Sequence, residues 1–246
     1  MTGEGRFCYE AGSVFLETRE LTKTYRVGRE DVHALRDVDF LARQGDFVVL
    51  NGPSGSGKTT FLNMISAIDR PTEGEVVIEG VPTATQTDRQ LAGLRRSRIG
   101  LVFQTFNLIP VLSAAENVEY PLLLQHLSRS ERKDRVAAML DEVGLGDLTR
   151  RRPNELSGGQ RQRVAIARAL VSEPKMVLAD EPTANLDSET GRQVMELTCK
   201  LNVEHCVIFI VVTHDPTVAS YARRRFQILD GRLSEELPDA SVASPS

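Results

Sequence analysis

Long apolar runs are missing from this 246-residue chain. A membrane-spanning helix needs about 20 apolar residues in a row. The longest strongly apolar run here, Cys206–Val212, is sized for a β-strand. Met1–Tyr9 lacks the apolar stretch of a secretory signal, so the expectation is a protein that stays in the cytoplasm. A basic excess is missing too. Lys and Arg total 30 against 34 Asp and Glu, a net charge of −4, which argues against a general nucleic-acid partner. Cysteine is scarce. Cys8, Cys199 and Cys206 have no metal-ligand spacing and cannot all pair with one another, so they read as buried or idle thiols. Neither an internal repeat nor a low-complexity linker is visible.

What is present is an alternation of short apolar runs and helical patterns. Phe47–Leu50, Ile99–Phe103, Met176–Ala179 and Val207–Val212 are rich in Val, Ile, Leu and Phe, as suits buried strands of a mainly parallel sheet. Helical patterns such as Thr59–Ile68 and Gln160–Val171 lie between them. The fold class expected is therefore α/β, with helices on both faces of the sheet. Val14–Tyr25, Ala34–Ala42 and Val76–Glu79 suggest a separate antiparallel β part, placed at an edge. Residues from about 104 to 155 read as mostly helical. Val136, Met139, Leu140 and Val143 share one face there, which marks an inserted helical subdomain. Met1–Ser13 reads as a loose leader and Pro238–Ser246 as a tail.

Gly52-Pro53-Ser54-Gly55-Ser56-Gly57-Lys58-Thr59 fits the phosphate-loop pattern G-x-x-x-x-G-K-[ST], between a predicted strand and a predicted helix. Glycines let the backbone curl so that its N–H groups converge on phosphate, at the positive end of the helix dipole. Lys58 reaches the outer phosphates, and the Thr59 hydroxyl serves Mg²⁺. Thr60 completes the candidate nucleotide-binding set. A second feature is the strand Met176–Ala179 running into Asp180-Glu181. It delivers two carboxylates to the carboxyl end of the sheet, where open α/β sheets bind ligands. Asp180 is the candidate Mg²⁺ ligand, and Glu181 the group that polarises an attacking water.

Leu156-Ser157-Gly158-Gly159-Gln160 completes the picture. Ser157 can cap a helix starting near Gln160, and the two glycines expose N–H groups at its positive end, a second anion site. This run resembles the signature sequence of the ABC ATPases. The resemblance extends from about Val14 to Leu233. Within it, Gln104 resembles the family's Q-loop glutamine, which senses Mg²⁺ and nucleotide. Ala184-Asn185-Leu186-Asp187 resembles its D-loop, and His214 its switch histidine. Tyr25 takes the place of the aromatic that stacks on adenine. The resemblance implies one ATPase domain over residues 14–237, with the helical subdomain at about 104–170. It implies ATP and Mg²⁺ as ligands, with Ser157, Gly158, Gly159, Gln160 and Asp187 contributing to a composite site. The implied active unit is a head-to-tail dimer, of two copies or with a related ATPase chain.

Phe103-Gln104-Thr105-Phe106-Asn107-Leu108-Ile109-Pro110, Glu116-Asn117-Val118 and Leu178-Ala179-Asp180-Glu181-Pro182-Thr183 resemble ATPase subunits of the lipoprotein-releasing and macrolide-exporter type. That implies a separate membrane-spanning permease, with this chain held peripherally at the cytoplasmic face of the membrane. The apolar segment Phe106–Leu124 then offers a partner surface, unless it is the core of the helical subdomain. The competing readings are weaker. A DNA-repair ATPase would need a long coiled coil between Lys58 and Ser157, and there is no room and no sustained heptad. Translation-type members join two ATPase domains in one chain, and this chain has one. A GTPase switch would need an Asn-Lys-x-Asp motif, and no Asn-Lys pair exists. Arginine clusters at residues 95–98, 150–152 and 223–225 read as solvated basic surface.

Overall fold

The computed structural model describes residues 13–236; the expected tail, and the expected leader apart from Ser13, lie outside them. A long hairpin opens the described residues, β1 (Val14–Val27) and β2 (Glu30–Arg43), followed by β3 (Phe47–Asn51), α1 (Lys58–Ile65), β4 (Glu73–Ile78) and β5 (Val81–Pro82). Next come α2 (Asp88–Arg98), β6 (Ile99–Val102), α3 (Ala114–Glu119), α4 (Arg129–Glu142) and α5 (Gly158–Leu170). The last part holds β7 (Met176–Asp180), α6 (Ser188–His205), β8 (Ile208–Thr213), α7 (Pro216–Ala219), β9 (Arg224–Leu229) and β10 (Arg232–Glu236).

Helix starts are strongly encoded. α2, α3, α4 and α5 each begin with a capping box, formed by Thr87 with Gln90, Ser113 with Glu116, Ser128 with Glu131, and Ser157 with Gln160. Each box satisfies two backbone groups that the first turn leaves unpaired, at about 1 kcal/mol per cap.

Two sheets result. The larger has the order β10-β9-β3-β8-β7-β6. β9, β3, β8, β7 and β6 run parallel, and β10 closes the edge antiparallel to β9. The smaller sheet, β2-β1-β4-β5, is antiparallel throughout. The early strands thus form a sheet of their own rather than an edge of the main one.

Strand periodicity explains how the layers hold. Along β3, Phe47 and Val49 enter one apolar cluster, while Val48 and Leu50 enter the other; Val177 and Ala179 of β7 alternate with Met176 and Leu178 in the same way. One cluster joins the main sheet to α3, α4, α5 and α6. The other joins it to α1 and the smaller sheet. Both faces of the strands are buried, which is why they read as continuous apolar runs. Each fully buried branched or aromatic side chain contributes about 1.5–3 kcal/mol.

Three expectations change. Residues 104–155 are less helical than read: α3 and α4 are joined by turns and short 3₁₀ segments. Arg95, Arg96 and Arg224 are not merely solvated. Arg95 and Arg96 donate to the carbonyls of Ala67 and Leu124, and Arg224 bridges Leu41 O, Asp46 and Glu235. Cys206 is disulfide-bonded, so it is no idle thiol. Cys199 is a free thiol whose pKa burial pushes up to about 11.

Candidate active site

Parallel strands put their carboxyl ends on one edge. Asn51 of β3 pairs with Thr213 of β8, and Asp180 of β7 with Val212. The chain leaves these ends as the phosphate loop, as Glu181, and as His214. Gln104 follows β6 on the same side. Residues distant in sequence are thereby gathered by sheet register alone.

The phosphate loop is tightly built. Gly55 and Gly57 adopt left-handed φ of 77° and 109°, which a side chain would oppose. A Cβ at Gly52 would collide with the Ile228 carbonyl, and one at Gly57 with the Ala34 carbonyl. The loop is thus wedged between the β1–β2 hairpin and β9. Lys58 folds over it and donates to the carbonyls of Gly52 (2.7 Å) and Pro53 (2.8 Å). The Ser56 hydroxyl is buried without a hydrogen-bond partner.

Two carboxylates stand beside it. Burial, with the Glu181 charge next to it, raises the pKa of Asp180; the nearby Lys58 ammonium pulls the other way. Glu181 sits at a strained left-handed φ of 47°, held by its N–H on the Val212 carbonyl at 2.9 Å. Its Oε1 lies 2.7 Å from His214 Nδ1, and its Oε2 accepts from the Thr213 hydroxyl at 3.2 Å. An ionised carboxylate only accepts, so the ring nitrogen that donates to it is Nδ1.

The Gln104 segment is clamped from two sides. Asn185 Nδ2 donates to the Gln104 carbonyl at 2.8 Å. Arg168 of α5 donates to the carbonyls of Phe106 (2.8 Å) and Asn107 (2.6 Å), both at left-handed φ. Arg161 lies over the Phe106 ring at 5.2 Å. α5 is therefore tied directly to the segment that follows Gln104.

Ser157 caps α5, but the two glycines serve packing as well as exposed N–H groups. A Cβ at Gly159 would strike the Thr190 methyl, and one at Gly158 would crowd Leu186 at 3.1 Å. Asp187 caps α6, its carboxylate accepting from the Thr190 N–H (2.9 Å) and hydroxyl (2.6 Å). These bonds, the hydroxyl first, hold its pKa low. Tyr25 is part-buried on β1 with its hydroxyl on Asp69. Burial, then Asp69, raises its pKa, while the Thr60 hydroxyl opposes.

Among the described residues no group of three or more His, Cys, Asp or Glu is placed to hold a metal ion. Magnesium needs no such cage when it binds with substrate phosphates through one or two protein groups. The half-buried Asp180 beside a glycine cradle fits that mode.

A family model described as ABC transporter matches residues 35–184. The chain is an ABC transporter ATP-binding cassette. It is an ATPase of that family, and it is 46% identical over 225 residues to an ABC transporter ATP-binding protein of Methanocaldococcus jannaschii, MJ0796, covering 90% of this chain and 96% of that protein. It is 45% identical to a macrolide export ATP-binding/permease protein of Syntrophobacter fumaroxidans, over 94% of this chain but only 33% of that longer protein. A dimeric structure of MJ0796, described as a post-hydrolysis state bound to ADP and Pi, superposes with a TM-score of 0.82 at 46% identity, covering 90% of this chain and 97% of that one. The structure of cbiO1 from Clostridium perfringens, described as part of the ABC transporter complex cbiONQ, superposes with a TM-score of 0.81 at 30% identity, covering 90% of this chain and 87% of that one.

In this cassette two residues that contact the site, Arg168 and Asp69, lie outside the patterns that marked it. Arg168 and Asp69 act over separations of 62 and 44 residues, and no local pattern marks such partners.

Proposed function

We propose that this cassette binds ATP with Mg²⁺ at the carboxyl edge of its main sheet and powers transport through ATP-driven, head-to-tail dimerisation. One observation carries the reading: the phosphate loop and the signature are both fully formed, yet built against different neighbours. The phosphate loop is wedged on Ala34 and Ile228, the signature on Leu186 and Thr190. A second copy supplies the missing half of each site. The dimeric MJ0796 structure, with ADP and Pi in that relative, supports it.

In this mechanism the loop N–H groups and Lys58 cradle the β- and γ-phosphates, Lys58 exchanging the carbonyls of Gly52 and Pro53 for phosphate oxygens. Thr59, Asp180 and Gln104 would hold Mg²⁺, which neutralises phosphate charge when bound. Glu181 orients and polarises the attacking water, and His214 faces the γ-phosphate through Nε2. Ser157, Gly158, Gly159 and Gln160 present the helix start to the partner's γ-phosphate, and Asp187 lies at the seam. ATP stabilises the closed dimer only while the γ-phosphate remains.

The transport side of the proposal rests on a groove of about 600 Å³ lined by Arg96, Leu101, Phe103, Ile109, Tyr120 and Leu124, among others. The segment Phe106–Leu124 divides its work. Ala114, Val118 and Leu122 are buried in the core, whereas Val111, Tyr120, Leu123 and Leu124 are at least half exposed. Such a patch beside Gln104 suits a segment of a separate permease. No helix of the described residues is long and apolar enough to cross a membrane, so membrane attachment in this reading is peripheral and comes from that partner. Similarity to the macrolide exporter favours an export or extrusion system.

The test is light scattering on Glu181→Gln with and without Mg-ATP. An ATP-dependent shift from monomer to dimer is expected. A variant that binds ATP and stays monomeric at high concentration would refute self-dimerisation.

A further inference from the structure

Behind Tyr25 lies a small charged network that the phosphate chemistry does not use. The Tyr25 hydroxyl donates to Asp69 Oδ2 at 3.0 Å. The ammonium of Lys23 donates to Asp69 Oδ1 at 2.9 Å and to the Arg70 carbonyl at 2.7 Å, and forms an ion pair with Asp69 Oδ2 at 2.8 Å. It also lies 4.9 Å from the centroid of the Tyr25 ring. The Lys23 side chain is only 12% exposed, an unusual burial for lysine, which is tolerated because its charge is paired with Asp69. Burial works to raise the pKa of Asp69, but bonds from Lys23, the Arg70 N–H and Tyr25 outweigh it and hold the carboxyl low.

The placement matters more than the bonds themselves. Asp69 follows α1, the helix whose first residues are Lys58, Thr59 and Thr60. Tyr25 comes from β1, far away in sequence. The tie therefore references the ring to the same helix that presents the phosphate-binding residues. The distance between base and phosphates is then set through α1 rather than through the β1–β2 hairpin alone. Lys23 covers one face of the ring, so the base takes the other. The ring loses its rotational freedom before the ligand arrives, which lowers the entropy cost of binding.

We propose that Asp69 and Lys23 are positioning residues for the nucleobase, holding Tyr25 as a preset platform with only one face available for stacking. This rests on the reading of Tyr25 as the adenine-stacking residue and adds what orients it.

The experiment is calorimetric binding of Mg-ATP and of magnesium with inorganic tripolyphosphate, which has phosphates but no base. The variants are Tyr25→Phe, Asp69→Asn, their double, and Tyr25→Ala. Tyr25→Phe keeps the ring and removes only the tie, so it serves even if Asp69→Asn folds poorly. Each single change should weaken ATP by roughly two- to tenfold. The double should be no worse than the stronger single, because both remove one interaction. Tripolyphosphate should bind all of them like the parent. An equal loss for ATP and tripolyphosphate would show a tie that supports the fold and not the base, and would overturn the proposal. So would a loss in Tyr25→Ala with none in Tyr25→Phe or Asp69→Asn, which leaves stacking intact. If Tyr25→Ala binds ATP like the parent, the stacking assignment itself falls, and the positioning role with it.

Discussion

Glu181 and His214 are joined by a 2.7 Å contact between Oε1 and Nδ1, across two strands whose carboxyl ends lie side by side. Thr213 holds the other carboxylate oxygen, so the orientation of Glu181 is set before it meets a water. A left-handed φ at Glu181 adds a strained residue at the candidate site, and strained backbone clusters at functional sites.

Glu181→Gln should therefore lower ATP turnover by at least about a hundredfold, the usual contribution of a positioned general base, while ATP still binds. His214→Ala should also slow turnover, since Glu181 loses a partner and the γ-phosphate loses a contact. Phosphate release and nucleotide titration measure the two effects. Wild-type turnover in Glu181→Gln would remove Glu181 from the mechanism.

Lys58→Ala should act on binding rather than on turnover alone. Hydrogen bonds to charged groups are worth about 1.5–3 kcal/mol, so ATP affinity should drop roughly ten- to a hundredfold. AMP, lacking the outer phosphates, should be affected far less. Equal losses for AMP and ATP in a titration would mean that Lys58 supports the loop's shape instead of the phosphates.

Gly159 and Thr190 form a steric pair. Gly159→Ala forces a methyl onto the Thr190 methyl, and overpacking of this kind costs about 1–3 kcal/mol. Thr190→Ser removes the obstructing methyl and keeps the hydroxyl that bonds Asp187. The double variant should thus recover stability lost by Gly159→Ala in urea melts. No recovery would show that Gly159 is needed for backbone reasons alone.

Cys199, with its pKa raised to about 11 by burial, should alkylate slowly at pH 8, because only the thiolate reacts. The rate, mapped to Cys199 by mass spectrometry, should climb steeply above pH 9. The sign for stability is negative. The folded state holds this proton more tightly than the unfolded chain, whose thiol titrates near ~8.5, so stability declines as pH rises from there toward 11. Rapid alkylation at pH 8 in the folded protein would contradict the burial.

Much of this protein is legible along the chain because its chemistry sits in contiguous runs. A phosphate loop is one curl of backbone, so Gly52 to Thr59 declares itself. A capped helix start is four residues, so Ser157 to Gln160 does too. β3, β7 and β8 are buried on both faces and read as apolar runs. The 18-residue helix α6 and the β9–β10 hairpin were harder. α6 buries the polar Thr198 and Asn202 among its apolar residues, which blurs its apolar face, and β9 is short, with just Phe226 and Ile228 buried.

Residue types and their spacing determined the family and the nucleotide class and named the candidate reacting groups, because those depend on backbone shapes a few residues long. Tertiary structure alone decided which groups meet. Register across β3, β8 and β7 brings Asn51, Thr213 and Asp180 to one edge. Packing sets Gly159 against Thr190, Asn185 on Gln104, and Asp69 under Tyr25. These partners are far apart in sequence, and apolar burial, which marks each strand locally, does not say which strands lie side by side or which side chains then meet.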